Sequence, residues 1–262
     1  MDRKRVTREE LRLLARGRVF TTKEFAELFH RSLPRAAKLA FDLRKRGFLT
    51  EVQRGVYASV PLDADPKTFR SDPFLTVQLT LGRTYAFSHQ SALVLHGVEQ
   101  TVRRTIHVSA PGVRPRRRSV GRLVVHVHGA PQDAWTRAVA KVPRGGTLLR
   151  VTTPERTLVD LAALPNSMQD YEEDLEAFRS LLPKVNPRTL EREVRNARSA
   201  STRARVGHLL QAAGAEASLA SRIRRVVGES GSKTSPSYFA TSPHVASNRF
   251  DARFRLVYPG GD

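Results

Sequence analysis

Eight histidines and a scatter of carboxylates are the side chains of this 262-residue sequence that could do chemistry. His126 and His128 alternate, which puts both on one face of a strand, and His89, His96 and His107 lie in the same stretch of chain. A zinc site needs three or four such groups to converge, and no HExxH or comparable spacing is present. These histidines therefore read as packed or hydrogen-bonded residues, and no metal site is expected. Ser88 and His89 are neighbours at a helix start, a poor geometry for a nucleophile and its base. The GxSxG elbow, the Walker motif and GxGxxG are all absent. The acid pairs Asp170–Asp174 and Glu172–Glu176 sit at helical spacing and read as a solvated helix face. Asp160 lies inside an apolar helix, where it reads as a structural hydrogen-bond partner for Thr157 or Arg156. A Mg²⁺-dependent nuclease, cutting DNA in a basic cleft, is the enzymatic alternative. The Asp and Glu-x-Lys pattern that such an enzyme carries on consecutive strands is missing. No catalytic residue and no cofactor is expected.

The dominant chemistry is cationic. The net charge of +20 and pI near 11.3 favour polyanions, nucleic acid first. Residues 1–60 carry 15 basic and 7 acidic side chains, net +8, and residues 100–150 carry 11 basic ones against Asp133 alone. There is no cysteine, hence no disulfide and no thiolate site. No apolar run reaches membrane-spanning length, and the charged MDRKRVTREE start is unlike a signal peptide, so a cytoplasmic setting is expected.

The elements that would position these cations start with a helix over 7–16, opened by the capping-box pair Thr7 and Glu10 and stopped by Gly17. Val19-Phe20 reads as an apolar link. Thr21 or Thr22 caps a second helix with Phe25, Leu28 and Phe29 at helical spacing, and His30-Arg31-Ser32 is a turn. Ser32 then caps a third helix to about Arg46, with Pro34 in its first turn and Ala36, Leu39, Ala40 and Leu43 as its apolar stripe. Phe48–Val52 and Val56–Ser59 read as two strands around Gln53-Arg54-Gly55. Helix, turn, helix and hairpin make the outline of a winged helix-turn-helix that binds duplex DNA, with the N-terminal half of the third helix in the major groove. The expected DNA contacts are Thr22, Arg31, Ser32, Arg35, Lys38, Arg44, Lys45 and Arg54. The block holding Arg103, Arg104, Arg114, Arg116, Arg117 and Arg118 either extends that footprint or faces solvent or another partner.

The Pro- and Asp-rich segment 61–72 reads as a linker between a 1–60 DNA-binding domain and a second domain over 73–228. That domain is expected to hold a helix from Pro73 to Leu81, an extended piece at 84–87 and a helix capped by Ser88. Strands follow at 105–109, 123–128 and 147–151, with the basic loop Pro111–Arg122 between the first two. A helix opens at Thr153-Pro154-Glu155, and helices near 170–182, 187–198, 201–213 and 216–228 complete it. The polar 229–262 reads as a loose tail with an edge strand at Arg253–Tyr258. The fold class is α+β, with a mostly helical C-terminal half.

Five stretches stand out in their order and spacing: the N-terminal helices with Gln53-Arg54-Gly55-Val56-Tyr57, SHQSALVLHG at 88–97, TIHVSAP at 105–111, VTTPERTLVDLAAL at 151–164 and STRARVGHLLQAAG at 201–214. Together they resemble the AbiEi family of bacterial antitoxins and transcriptional regulators. The resemblance implies a DNA-binding domain joined to an α+β antitoxin domain. It also implies repression of the protein's own operon through promoter repeats, with a dimer on DNA, and action against a nucleotidyltransferase-like toxin. A regulator without a toxin, using residues 73–262 for dimerisation or ligand sensing, is the alternative.

Overall fold

The structure is a computed structural model that describes residues 18–82, 84–100, 104–132, 135–164, 168–229, 236–239 and 248–259, with backbone only at 168–170. The helix expected over 7–16 lies outside these residues. The described chain is mixed α+β, and its contacts divide it into two compact units. One comprises residues 1–86, 103–132 and 141–150; the other comprises 87–102, 133–140 and 151–262.

In the first unit, local hydrogen bonding sets the opening helix. The Thr21 hydroxyl accepts from the Glu24 N–H at 3.2 Å, and the Glu24 carboxylate accepts from the Thr21 N–H at 2.8 Å. This reciprocal capping box starts α1 (Thr22–Leu28). His30 takes a left-handed φ of 49°, a conformation histidine tolerates better than most residues, and so reverses the chain. Ser32 then leads into α2 (Leu33–Lys45) with Pro34 in the first turn, although its side chain makes no capping bond. Phe20, Phe25, Ala26, Ala36, Ala40, Leu43 and Leu49 form one apolar cluster, in which Phe20 stacks on Phe25 at 5.0 Å.

Val19 and Phe20 are more than a link. They belong to strand β1 (Val19–Thr21), which pairs antiparallel with β3 (Val56–Ser59), itself paired with β2 (Leu49–Gln53), in the order β1-β3-β2. A three-residue strand shows no period of its own, because its hydrogen-bond partners arrive with β3. Helix α3 (Pro73–Leu81) is capped by Asp72, whose Oδ1 accepts from Phe74 and Leu75 N–H at 2.9 and 3.1 Å.

A six-stranded sheet follows, built from β4 (Ala86–Phe87), β5 (Thr105–Pro111), β6 (Arg116–Val120), β7 (Leu123–Ala130), β8 (Val139–Arg144) and β9 (Thr147–Thr152), in the order β6-β7-β5-β4-β9-β8. The division between units passes through β4, β8 and β9. Strand β5 runs parallel to β7, and β6 antiparallel to it. The expected basic loop thus contains a strand. Arg116–Ser119 are exposed and lack apolar alternation, so only pairing with β7 makes them extended. Strand β8 was likewise unanticipated.

The second unit contains α4 (His89–Leu95), α5 (Pro154–Ala163), α6 (Met168–Leu181), α7 (Pro187–Arg195), α8 (Ala200–Ala212) and α9 (Ala217–Glu229), with a 3₁₀ turn at Leu182–Lys184. Thr153 caps α5, Asn186 caps α7 and Ser199 caps α8 through side-chain acceptors. The acidic helix α6 is not solvated on every side. Asp174 is buried, because 171, 174, 175 and 178 fall on one helical face and Tyr171, Leu175 and Phe178 take it into the core.

The C-terminal segment is more than a loose tail with an edge strand. Strands β10 (Ser237–Tyr238), β11 (Asn248–Asp251) and β12 (Leu256–Pro259) form a sheet of order β10-β12-β11, so the expected edge strand is central. Phe239, Phe254 and Leu256 join the helical core. Gly207 in α8 admits Phe254: a Cβ there would lie 2.4 Å from its ring.

Candidate nucleic-acid interface

Helix α2 spends one flank on the core and offers the other to solvent. Ala36, Ala40 and Leu43 are buried, while Ser32, Arg35, Lys38, Asp42 and Lys45 are exposed. The two alanines let α2 cross α1 closely, which leaves the outer flank projecting. Two apolar side chains share that flank. Leu33 is 54% exposed in the first turn, and Phe41, 44% exposed, carries the Lys45 ammonium 4.5 Å and the Arg44 guanidinium 5.4 Å from its ring centroid. Neither was expected as a site residue, since an apolar residue inside a helical pattern reads as core.

The expected contacts divide by the work they already do. Arg35, Lys38, Lys45 and Arg54 are exposed, with Arg54 at the tip of the β2–β3 hairpin beside Gly55 at φ +76°. Arg44 pairs with Glu51 of β2 and so also fixes the hairpin to α2. Thr22 donates its hydroxyl to the Gly55 carbonyl at 3.2 Å, and its N–H donates to the same oxygen at 2.9 Å, so it ties the hairpin tip to the start of α1. Arg31 is half-buried, and its N–H donates to the Ala26 carbonyl at 2.9 Å.

The second basic block shares the first unit. Arg104, Arg114, Arg116, Arg117 and Arg118 are exposed, and Arg103 lies outside the described residues. Arg116 donates to the Tyr85 hydroxyl at 3.2 Å. The β6–β7 turn abuts the β2–β3 hairpin at Gly121, where a Cβ would come within 2.6 Å of the Val52 carbonyl oxygen. The turn that ends strand β6 therefore lies beside the hairpin that carries Arg54.

Histidines line one face of the β6-β7-β5 strands. Register pairs His126 with both His107 and Arg117, which puts all three on the same side. His107 and His128 share a hydrogen bond at 3.0 Å between Nδ1 and Nε2, with rings stacked at 5.2 Å. Burial, then the neighbouring His126, pushes His128 down to about 4; burial, then Arg117, lowers His126. His126 and His128 are therefore neutral at pH 7, and the charge of this surface is that of its arginines.

The other polar constellations are inward. Ser88 and His89 are buried, with the hydroxyl 2.9 Å from His89 Nδ1. Arg156 donates to Asp160 at 2.8 Å, with the buried Glu193 carboxylate 3.8 Å away, and burial pushes both carboxyls up against its pull. One guanidinium thus serves two buried acids within the α5–α7 packing. Among the described residues, no helix is long and apolar enough to cross a membrane.

Residues 85–212 match the family model of the AbiEi antitoxin C-terminal domain. The chain is also similar to the crystal structure of the RV2827C protein from Mycobacterium tuberculosis. The TM-score is 0.70 at 22% identity, covering 95% of this chain and 89% of that one, a likeness of fold. No curated protein matches.

Proposed function

Because residues 85–212 match the family model of the AbiEi antitoxin C-terminal domain, we propose that the chain is an antitoxin of that family that also binds DNA and represses its own promoter. The DNA-binding module in this reading is a winged helix-turn-helix ending at Val60, with α2 as the recognition helix and the β2–β3 hairpin as the wing. The observation that carries it is the outer flank of α2. Ser32, Leu33, Arg35 and Lys38 stand exposed at its N-terminal half while its other flank is locked in the core, and Arg54 extends the same positive character on the hairpin. A helix of this kind enters the major groove with its N-terminal residues at base edges and the wing at phosphate or the minor groove. Arg35 and Lys38 are assigned to the groove, with Arg35 reading bases, and Lys45 and Arg54 to phosphate; Ser32 and Arg31 hold the backbone at the helix start. Thr22 and Arg44 keep the wing against the helix and contribute to the DNA surface from there. The toxin partner in this reading is a nucleotidyltransferase-like protein.

The test is a fluorescence-polarisation titration on the protein's own upstream DNA and on random duplex, across a salt series. The expected outcome is tighter binding to the upstream DNA, with log affinity falling linearly with log salt by about 0.9 per phosphate neutralised. Equal affinity for both duplexes at every salt concentration removes the repressor reading. The antitoxin arm is tested separately, by co-expressing the chain with a nucleotidyltransferase-like toxin from the same operon, where restored growth is expected.

A further inference from the structure

The second unit contains a cavity of about 440 Å³ that the DNA-binding reading leaves unused. Its floor is a hydrogen-bonded relay. The Tyr171 hydroxyl lies 3.1 Å from His208 Nε2, and His208 Nδ1 lies 2.9 Å from Asp251 Oδ2. The other Asp251 oxygen accepts from the Arg253 N–H at 3.0 Å and from its Nε at 3.3 Å. Tyr171, His208 and Asp251 are each buried. Such a chain of hydroxyl, imidazole and carboxylate could suggest a nucleophile and base. Every nitrogen of the imidazole is already committed, however, and burial pushes the Tyr171 hydroxyl up to about 12, away from activation. The relay makes a rigid floor and leaves recognition to the groups around it.

Those groups have a particular chemistry. Tyr258 packs its ring 4.2 Å from His208 and 5.9 Å from Tyr171, giving an aromatic wall. Gln211 lines the cavity, with its Oε1 turned inward and its amide nitrogen the group left for a ligand. Arg253 is 55% exposed and spends only Nε on Asp251, which leaves two terminal nitrogens for an anion. Arg249 pairs with Tyr258 across β11 and β12, so it shares that face of the sheet. An aromatic wall, a side-chain amide able to read a polar ring edge and guanidinium groups for phosphate are complementary to one compact ligand class.

We propose that this cavity binds a nucleoside monophosphate, with the base against Tyr258 and Gln211 and the phosphate on Arg253. Pockets of 300–1,000 Å³ suit ligands of that size.

The experiment uses the full chain. AMP, GMP, CMP and UMP are titrated by calorimetry and saturation-transfer NMR, beside the four nucleosides and inorganic phosphate. At least one mononucleotide is expected to bind with a Kd below about 1 mM, and more tightly than its nucleoside or inorganic phosphate. Arg253→Ala, at an exposed position, is expected to weaken the nucleotide about tenfold and the nucleoside little. Gln211→Leu is expected to weaken both. An Arg35→Ala/Arg54→Ala double variant is expected to bind the nucleotide unchanged, which separates this site from the DNA surface. The proposal is overturned if no mononucleotide binds, if inorganic phosphate binds as well as the nucleotide, or if the α2 and wing variant loses binding while Arg253→Ala keeps it. Melting curves confirm that each variant is folded.

Discussion

At the scale of single residues, ion pairing separates the cations that can read bases from those that hold the scaffold. Arg35 projects from the first turns of α2 and makes no ion pair among the described residues, whereas Arg44 is bound to Glu51. Arg35→Ala should cost about 1–3 kcal/mol on the cognate duplex and little on random DNA, because a bidentate base contact is lost. Arg54→Ala should weaken both duplexes alike, because a phosphate contact carries no sequence. Paired titrations check this, and equal losses for Arg35→Ala would take base reading away from it. His128 yields a prediction about stability. Its folded pKa, near 4, lies below the unfolded value of 6.5, so the unfolded chain takes up the proton first. The stability it contributes is complete above pH 6.5 and is lost as pH falls towards 4. By linkage this amounts to about 2 kcal/mol at pH 5. Urea unfolding at pH 7 and pH 5 should show the wild type losing about that much more than His128→Asn; identical losses would mean that His128 is not buried in its neutral form. The histidine alternation at 126 and 128 was visible in the sequence. The arrival of His107 beside them was not, because it depends on the parallel register of β5 and β7.

At the scale of elements, the helices were legible because their signals are local. Thr21 with Glu24, Asp72 before Pro73, and Thr153 before Pro154 each satisfy helix-start N–H groups within three residues. The unexpected strands include β6 and β8, which lie beside the strands that directly follow them, β7 and β9, and β1, which takes its hydrogen bonds from β3, far along the chain. The contact between two hairpins at Gly121 is of the same kind. Gly121→Ala meets both a positive φ of 57° and the Val52 carbonyl at 2.6 Å, so it should destabilise by about 2–4 kcal/mol. Gly146→Ala has φ +77° with nothing within 4 Å and should cost only about 1–2 kcal/mol. Chemical denaturation of the two variants side by side tests this, and equal costs would mean that the hairpins do not bear on each other.

At the scale of the whole molecule, the charge is shared among surfaces rather than concentrated in one helix. Neutralising strand β6 with Arg116→Gln, Arg117→Gln and Arg118→Gln should lower the salt slope of DNA binding by up to about 2–3 if those side chains reach phosphate. An unchanged slope assigns β6 to another partner. The sequence by itself determined the capped helices, the turn at His30–Ser32, the cationic flank of α2 and the matching order of stretches over 88–214. Each of these rests on spacing within a few residues or on composition. Only the tertiary structure decided that Arg116–Arg118 form a strand against β7, that the C-terminal segment closes on Gly207, and that Tyr171, His208 and Asp251 meet around one cavity. The first depends on pairing across a tight turn by residues without apolar alternation, and the other two on packing between residues tens of positions apart, so none leaves a period in the sequence to read.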